Sequence, residues 1–229
     1  MAVPGSSTLV AARLAAVRDR IARAESLSGR ASGSVTLVAV SKRKPAEDIV
    51  AAYHAGQRDF GENYVQEFEA KAAEMPDMPE ARFHLIGHLQ GNKAKRAAKL
   101  FSAIHTVDSV RLATRLARGD ETLDVFLELK LSAEATKSGM DADLLEPVLE
   151  AVNAAPNLRL SGLMTMPPWT EDPELSRPYF RKLRGLAESH GIAGLSMGMS
   201  RDLEVAIQEG ATHVRIGTAI FGERAPRGG

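Results

Sequence analysis

Hydrophobic positions along this chain follow two alternating periods. Val10, Leu14, Val17 and Ile21 recur at steps of four, three and four, the spacing of one helix face, and Gly29 and Gly33 lie beyond that pattern. Residues 35–40 then form a short, nearly continuous apolar run rich in β-branched side chains. Such a run predicts a strand buried on both faces, as in a parallel sheet.

The alternation continues to the end of the chain. Pro45 opens a helix that carries Ile49 and Tyr53 and closes near Gly56. Strands are predicted at 58–60, 83–86, 103–106, 125–131, 158–163, 194–196 and 212–216. Helices between them are predicted at 63–73, at 92–99, after a cap at Asp108, from Asp141, around Tyr179, Leu183 and Leu186, and from a cap at Ser200 to Gly210. Eight strand–helix alternations without a long linker predict one α/β domain over 1–229: a single (β/α)8 TIM-type barrel with an extra N-terminal helix. An open doubly wound sheet is the competing fold.

Closure of the barrel would make strand 8 a neighbour of strand 1. Sites in this fold lie at the C-terminal ends of the strands, and phosphates often bind the loops after strands 7 and 8. Strand 1 ends in Ser41-Lys42, strand 7 leads into Ser196-Met-Gly-Met-Ser200, and strand 8 ends in Arg215-Ile-Gly-Thr218. Glycines let a backbone approach closely, and hydroxyls and free N–H groups cradle an anion. A lysine amine shielded from water can lose its proton and attack an aldehyde. Pyridoxal 5′-phosphate (PLP) carries both groups, so it is the economical ligand. Arg215 could approach its pyridine nitrogen and, being always charged, would disfavour a proton there. Taken singly, the lysine reads as a solvated charge and the two turns as a loop and a strand end; their joint placement carries the functional reading.

Composition removes several alternatives. Lys+Arg and Asp+Glu both number 29, so no global field attracts nucleic acid or an anionic membrane. With no cysteine there is no disulfide, thiolate metal site or cysteine nucleophile. No basic, then apolar leader opens the chain and no apolar run approaches the roughly 20 residues of a membrane span, so a soluble, cytoplasmic protein is expected. Lys93, Lys95, Arg96 and Lys99 read as a solvated helix face, because little aromatic interleaving accompanies them. His84, His88 and His105 read as packing or hydrogen-bonding residues, since no ligand spacing surrounds them. Lys44 is a candidate second amine, although a surface charge is the plainer reading.

Several ordered segments resemble the YggS/PROSC family, the pyridoxal phosphate homeostasis proteins. They are Ala39-Val-Ser-Lys-Arg-Lys-Pro45, Gly61-Glu-Asn-Tyr-Val-Gln-Glu67, His84-Leu-Ile-Gly-His-Leu-Gln-Gly-Asn-Lys93, Lys137-Ser-Gly139, Gly162-Leu-Met164, Leu195-Ser-Met-Gly-Met-Ser200 and Val214-Arg-Ile-Gly-Thr-Ala-Ile-Phe-Gly222. The resemblance implies a barrel like the N-terminal domain of alanine racemase, with PLP as a Schiff base on Lys42. It implies that Ser196, Ser200, Gly217 and Thr218 hold the phosphate, that Arg215 faces the ring nitrogen, and that Asn63 and Met164 line the pocket. Two departures stand out: Lys130 where an asparagine is expected, which could bring a second amine near the cofactor, and Gly91 where serine is usual.

The family implies a non-catalytic PLP carrier or regulator, with apo PLP-dependent enzymes as candidate recipients. The rivals are a small PLP-dependent racemase or lyase and a cofactor-free Schiff-base aldolase. Alanine racemases draw their second base from an extra C-terminal domain; this chain ends at Gly229, just past strand 8, so a carrier and a monomer are expected.

Overall fold

The computed structural model describes residues 4–132 and 138–223. Lys137, part of one family-like segment, lies outside the described residues. Eight parallel strands close into a barrel in sequence order: β1 (Thr36–Val40), β2 (Asp59–Glu62), β3 (Arg82–Leu85), β4 (Ala103–Val107), β5 (Leu123–Glu128), β6 (Leu158–Met164), β7 (Leu195–Ser196) and β8 (His213–Ile216). The open sheet is therefore excluded. At the closing seam Thr36 pairs with His213, Leu37 with Val214, Val38 with Arg215 and Ala39 with Ile216.

The helices are α1 (Pro4–Leu27), α2 (Ala46–His54), α3 (Val65–Glu74), α4 (Ala94–Leu100), α5 (Val110–Leu116), α6 (Leu145–Asn153), α7 (Arg177–Ser189), α8 (Leu203–Gln208) and α9 (Thr218–Phe221). Because α9 is a single turn, no long helix among the described residues after β8 covers the closing seam. The N-terminal helix takes that slot: α1 packs on α2, α8 and α9 and buries Val10, Leu14, Val17, Ile21 and Ala24. Each large apolar side chain buried there contributes about 1.5–3 kcal/mol relative to exposure. Glu25, itself buried, accepts the N–H groups of Gly33 and Val35 and so fixes the entry into β1.

Four boundaries differ from the sequence expectation. Strand β5 ends at Glu128 because Lys130 donates its N–H to Met140, away from the barrel ladder. The cap of α5 is Ser109, whose hydroxyl accepts from Leu112 N–H, and not Asp108. Helix α3 begins at Val65, which leaves Asn63 in a loop. Ser200 does not cap α8: the Asp202 carbonyl accepts the Ala206 N–H at 2.9 Å, so the helix starts beyond it.

The barrel interior contains polar as well as apolar groups. His105 of β4 stacks on Phe126 of β5, with ring centroids 4.1 Å apart, and both meet His213 of β8 edge-on. Since β8 borders only β1 and β7, these contacts pass through the barrel's inside. Burial lowers the His213 pKa from 6.5 to about 4, with the nearby His84, Arg82 and Arg215 acting in the same sense and Asp59 opposing. Between these values the unfolded chain binds the proton and the folded chain does not. This stabilising contribution is complete above about 6.5 and is lost as pH falls towards 4. Replacing His213 with Phe should flatten that acid limb, compared as urea midpoints at pH 7 and 4.5; an unchanged slope would show that another group sets it.

Candidate functional site

The turn after β1 is tight and strained. Lys44 N–H closes it onto Ser41 O at 3.0 Å, so Lys42 occupies its first corner and Arg43 its second. Arg43 has φ +59°, a left-handed conformation that costs a non-glycine residue roughly 1–2 kcal/mol. A buried ionic cluster holds it there. The Arg43 N–H donates to Glu67, and Lys71 Nζ bridges Glu67 (2.7 Å), Glu62 (2.8 Å) and the Ser41 carbonyl (2.9 Å). The Ser41 hydroxyl also donates to Glu62. Burial raises the Glu62 pKa, opposed by Lys71 and the Ser41 hydrogen bond. Backbone donor, carbonyl and hydroxyl of the lysine turn are thus all fixed from β2 and α3.

Opposite Lys42 lie the turns after β7 and β8. The seam register continues upward so that Gly217 rests on the end of β1; a Cβ at Gly217 would meet Val40 O at 3.2 Å. Gly198 has φ +94°, and its absent side chain would strike Ala206 Cβ at 2.5 Å. Asp202 accepts the Met199 N–H, and the Ser200 hydroxyl accepts the Ala219 N–H across the two turns. These bonds hold the β7 and β8 loops as one surface.

The resulting cavity has a volume of about 640 Å³. Lys42, Asn63, Ser200, Arg215, Gly217 and Thr218 all line it. Met164 does not: it is fully buried at the end of β6, and the exposed Met166 two residues later takes the wall position. Ser196 is also fully buried beneath the cavity, with its hydroxyl between Arg215 Nη1 (2.6 Å) and His105 Nδ1 (2.8 Å). Arg215 further donates to the Thr165 carbonyl at 3.0 Å. Burial lowers its pKa to about 10, opposed by Glu128 and Asp202, so it keeps its charge at neutral pH.

Asn63 stands against Gly87, where a Cβ would lie 2.4 Å from the Asn63 carbonyl. Its buried Oδ1 has no hydrogen-bond partner among the described residues. With Lys42, Lys44, Arg201 and Arg215 against the single carboxylate of Asp202, the described lining favours an anion.

The extra amines are committed elsewhere. Lys44 reaches the cavity wall, but its Nζ donates to the carbonyls of Phe221 and Glu223. Lys130 is outside the lining and pairs with Asp141 at 3.3 Å. At Gly91 the guanidinium of Arg115 passes over the backbone, 2.2 Å from where a Cβ would be. His88 is exposed beside Asp108, and the basic face of α4 is partly neutralised through Arg96–Glu69. Sequence reasoning missed the loop after β6, whose Met166, Pro168, Trp169 and Thr170 form one wall. Arg201 stacks over Trp169 at 4.8 Å. A lone tryptophan in a proline-rich loop at a strand's C-terminal end was the available signal.

Fold and site together define a (β/α)8 barrel that opposes a lysine turn to two small-residue turns at its C-terminal rim. The chain belongs to the alanine racemase N-terminal domain family, whose model matches residues 13–225. It is 46% identical over 221 residues to the pyridoxal phosphate homeostasis protein of Pseudomonas aeruginosa, covering 94% of this chain and 96% of that one. Identity to the protein of the same name from Aquifex aeolicus is 41%, over 93% and 97% of the two chains. PipY of Synechococcus elongatus, solved with PLP bound, superposes with a TM-score of 0.80 at 38% identity, over 93% of this chain and all of that one. Alanine racemase of Corynebacterium glutamicum shares the fold, with a TM-score of 0.65 at 19% identity.

Lys71→Met removes one member of the buried cluster and leaves Glu62 uncompensated. It should cost about 3–5 kcal/mol in urea denaturation. The double substitution Glu62→Gln with Lys71→Met should recover part of that loss. A single variant as stable as the parent would mean that the cluster does not hold the turn.

Proposed function

We propose that this chain binds PLP at the barrel mouth and serves intracellular PLP homeostasis, holding the cofactor as a Schiff base on Lys42 for storage and transfer. The observation that carries this reading is the β1–β8 register, which sets the lysine turn beside the Gly217–Thr218 turn. The residues present fit the group. Gly217 leaves backbone room that a Cβ would fill, Asn63 offers an unpaired buried acceptor, and the described lining is cationic. When bound, the cofactor supplies an aldehyde that condenses with an amine, with loss of water.

The chain's own groups then have distinct tasks. Lys42 is presented at the corner of a clamped turn, half-buried and therefore partly shielded from water. Ser200, Gly217 and Thr218 offer hydroxyl and backbone donors to a phosphate. Arg215, charged and held from below, would face the ring nitrogen and disfavour a proton there. That weakens electron withdrawal and favours keeping the cofactor over using it. Ser196 acts on Arg215 instead of reaching the ligand, and Met164 supports the wall from within. A carrier that accepts and releases PLP fits a mouth walled by an exposed loop, and apo PLP-dependent enzymes are the proposed recipients. The names of the relatives support the non-catalytic reading.

Borohydride reduction of the holo-protein should fix a pyridoxyl label on the peptide containing Lys42, and Lys42→Ala should abolish it. Ser200→Ala should weaken binding roughly tenfold, the effect of losing one hydrogen bond to a charged group. Label on Lys44 or Lys130 would move the site. Deuterium entering the α-position of amino acids in D₂O would replace the carrier by a racemase or lyase.

A further inference from the structure

Five side chains form a continuous hydrogen-bonded file through the inside of the barrel. Arg215 Nη1 lies 2.6 Å from Ser196 Oγ, which is 2.8 Å from His105 Nδ1. His105 Nε2 lies 3.0 Å from His84 Nδ1, and His84 Nε2 is 2.8 Å from Asp59 Oδ1. Asp59 opens β2 at the N-terminal end of the barrel, whereas Arg215 lines the cavity at the other. Ser196, His105, His84 and Arg215 are all buried.

The carboxylate end, acting through two neutral rings, imposes one direction on this file. An arginine only donates, and an ionised carboxylate only accepts. Asp59 accepts from His84 Nε2, so with both rings neutral His84 accepts at Nδ1 from His105 Nε2–H. His105 then accepts at Nδ1, and Ser196, which takes one hydrogen bond from Arg215, gives its own proton to that nitrogen. Every donor has an acceptor and no bond can be reversed singly. Electrostatics agrees at both histidine and carboxylate. Burial pushes the His105 pKa well below 6.5, with His84, His213, Arg215 and Arg82 all acting in the same sense. Burial raises Asp59, but the His84 hydrogen bond and the nearby Arg82 and His213 outweigh it and leave the carboxyl below its usual value.

We infer that this one-way file locks the orientation of Arg215 at the cavity floor, making His105 and His84 positioning residues for the ring of the bound ligand. The claim about the ligand rests on the PLP reading above; the claim about Arg215 does not. Locking matters because a guanidinium free to turn offers its donors in several directions, and the entropy of fixing it would be lost on binding. Here Nη1 gives one hydrogen to Ser196 and Nη2 one to Thr165 O, so the remaining N–H groups are presented in one pose.

Two variants test this. Nitrogen-15 NMR of the histidines in the ligand-free protein should show both His84 and His105 as Nε2–H tautomers. Asp59→Asn, nearly isosteric and far from the cavity, allows an amide to donate back to His84 and should yield mixed tautomers at His105 as well. A role in packing alone would leave His105 unchanged in that variant, and a Nδ1–H His105 in the parent would overturn the inference. His105→Phe keeps the ring stacked on Phe126 and severs the file. It should still take the borohydride label on Lys42, but bind PLP roughly tenfold more weakly and shift the pH profile of the bound chromophore. Parent-like affinity and pH profile in that variant would overturn the positioning role. If the parent protein takes no label at all, the proposed function fails, and the tautomers alone decide whether Arg215 is locked.

Discussion

Parallel pairing of β1 with β8 brings together groups separated by most of the chain. Four residue pairs along that seam set Arg215 opposite Val38 and Ile216 opposite Ala39. One step further along each strand, the lysine turn and the glycine–threonine turn become neighbours. Parallel strands twist and pair in fixed register, so their ends diverge little, and the geometry of the mouth follows from pairing formed well below it. The N-terminal helix secures this seam from outside, and Glu25 ties that helix to the start of β1.

Around the mouth, charge is used in two different ways. Lys71 is consumed by Glu62, Glu67 and a carbonyl, and its work is to hold backbone in a left-handed turn. Arg215 stays charged beside the cavity with the fields of Glu128 and Asp202 opposing burial, and because its hydrogen-bond partners are neutral oxygens no directly bonded carboxylate consumes that charge. Lys44 and Lys130, close in sequence to the cavity's strand ends, are paired elsewhere. The cavity thereby combines a presented amine with a fixed cation.

Much of the fold was legible in the chain because burial on both faces makes the strands continuous apolar runs, while helices show a period near four. Val10, Leu14, Val17 and Ile21 all belong to the buried face of α1 as their spacing implied. Legibility failed where a neighbour in space, not in sequence, supplied the bond. Lys130 leaves β5 because Met140 accepts its N–H, and Ser200 faces Ala219 instead of capping α8. Lys42, Ser200, Arg215, Gly217 and Thr218 were visible as site candidates through strand-end position and Asn63 through the family resemblance, whereas the wall after β6 was not, since a long loop has no period to read.

By itself the sequence determined the number and order of the strands, the amphipathic first helix and the residue types at each strand end. Those depend on local spacing and on which side chains avoid water. Tertiary structure alone decided that Ser196 supports Arg215, that Met166 and not Met164 walls the cavity, and that α1 fills the gap left by the short α9. The reason is physical: a hydroxyl, a sulfur or an amphipathic face can satisfy itself in several directions, and only closure of the barrel selects the partner within reach.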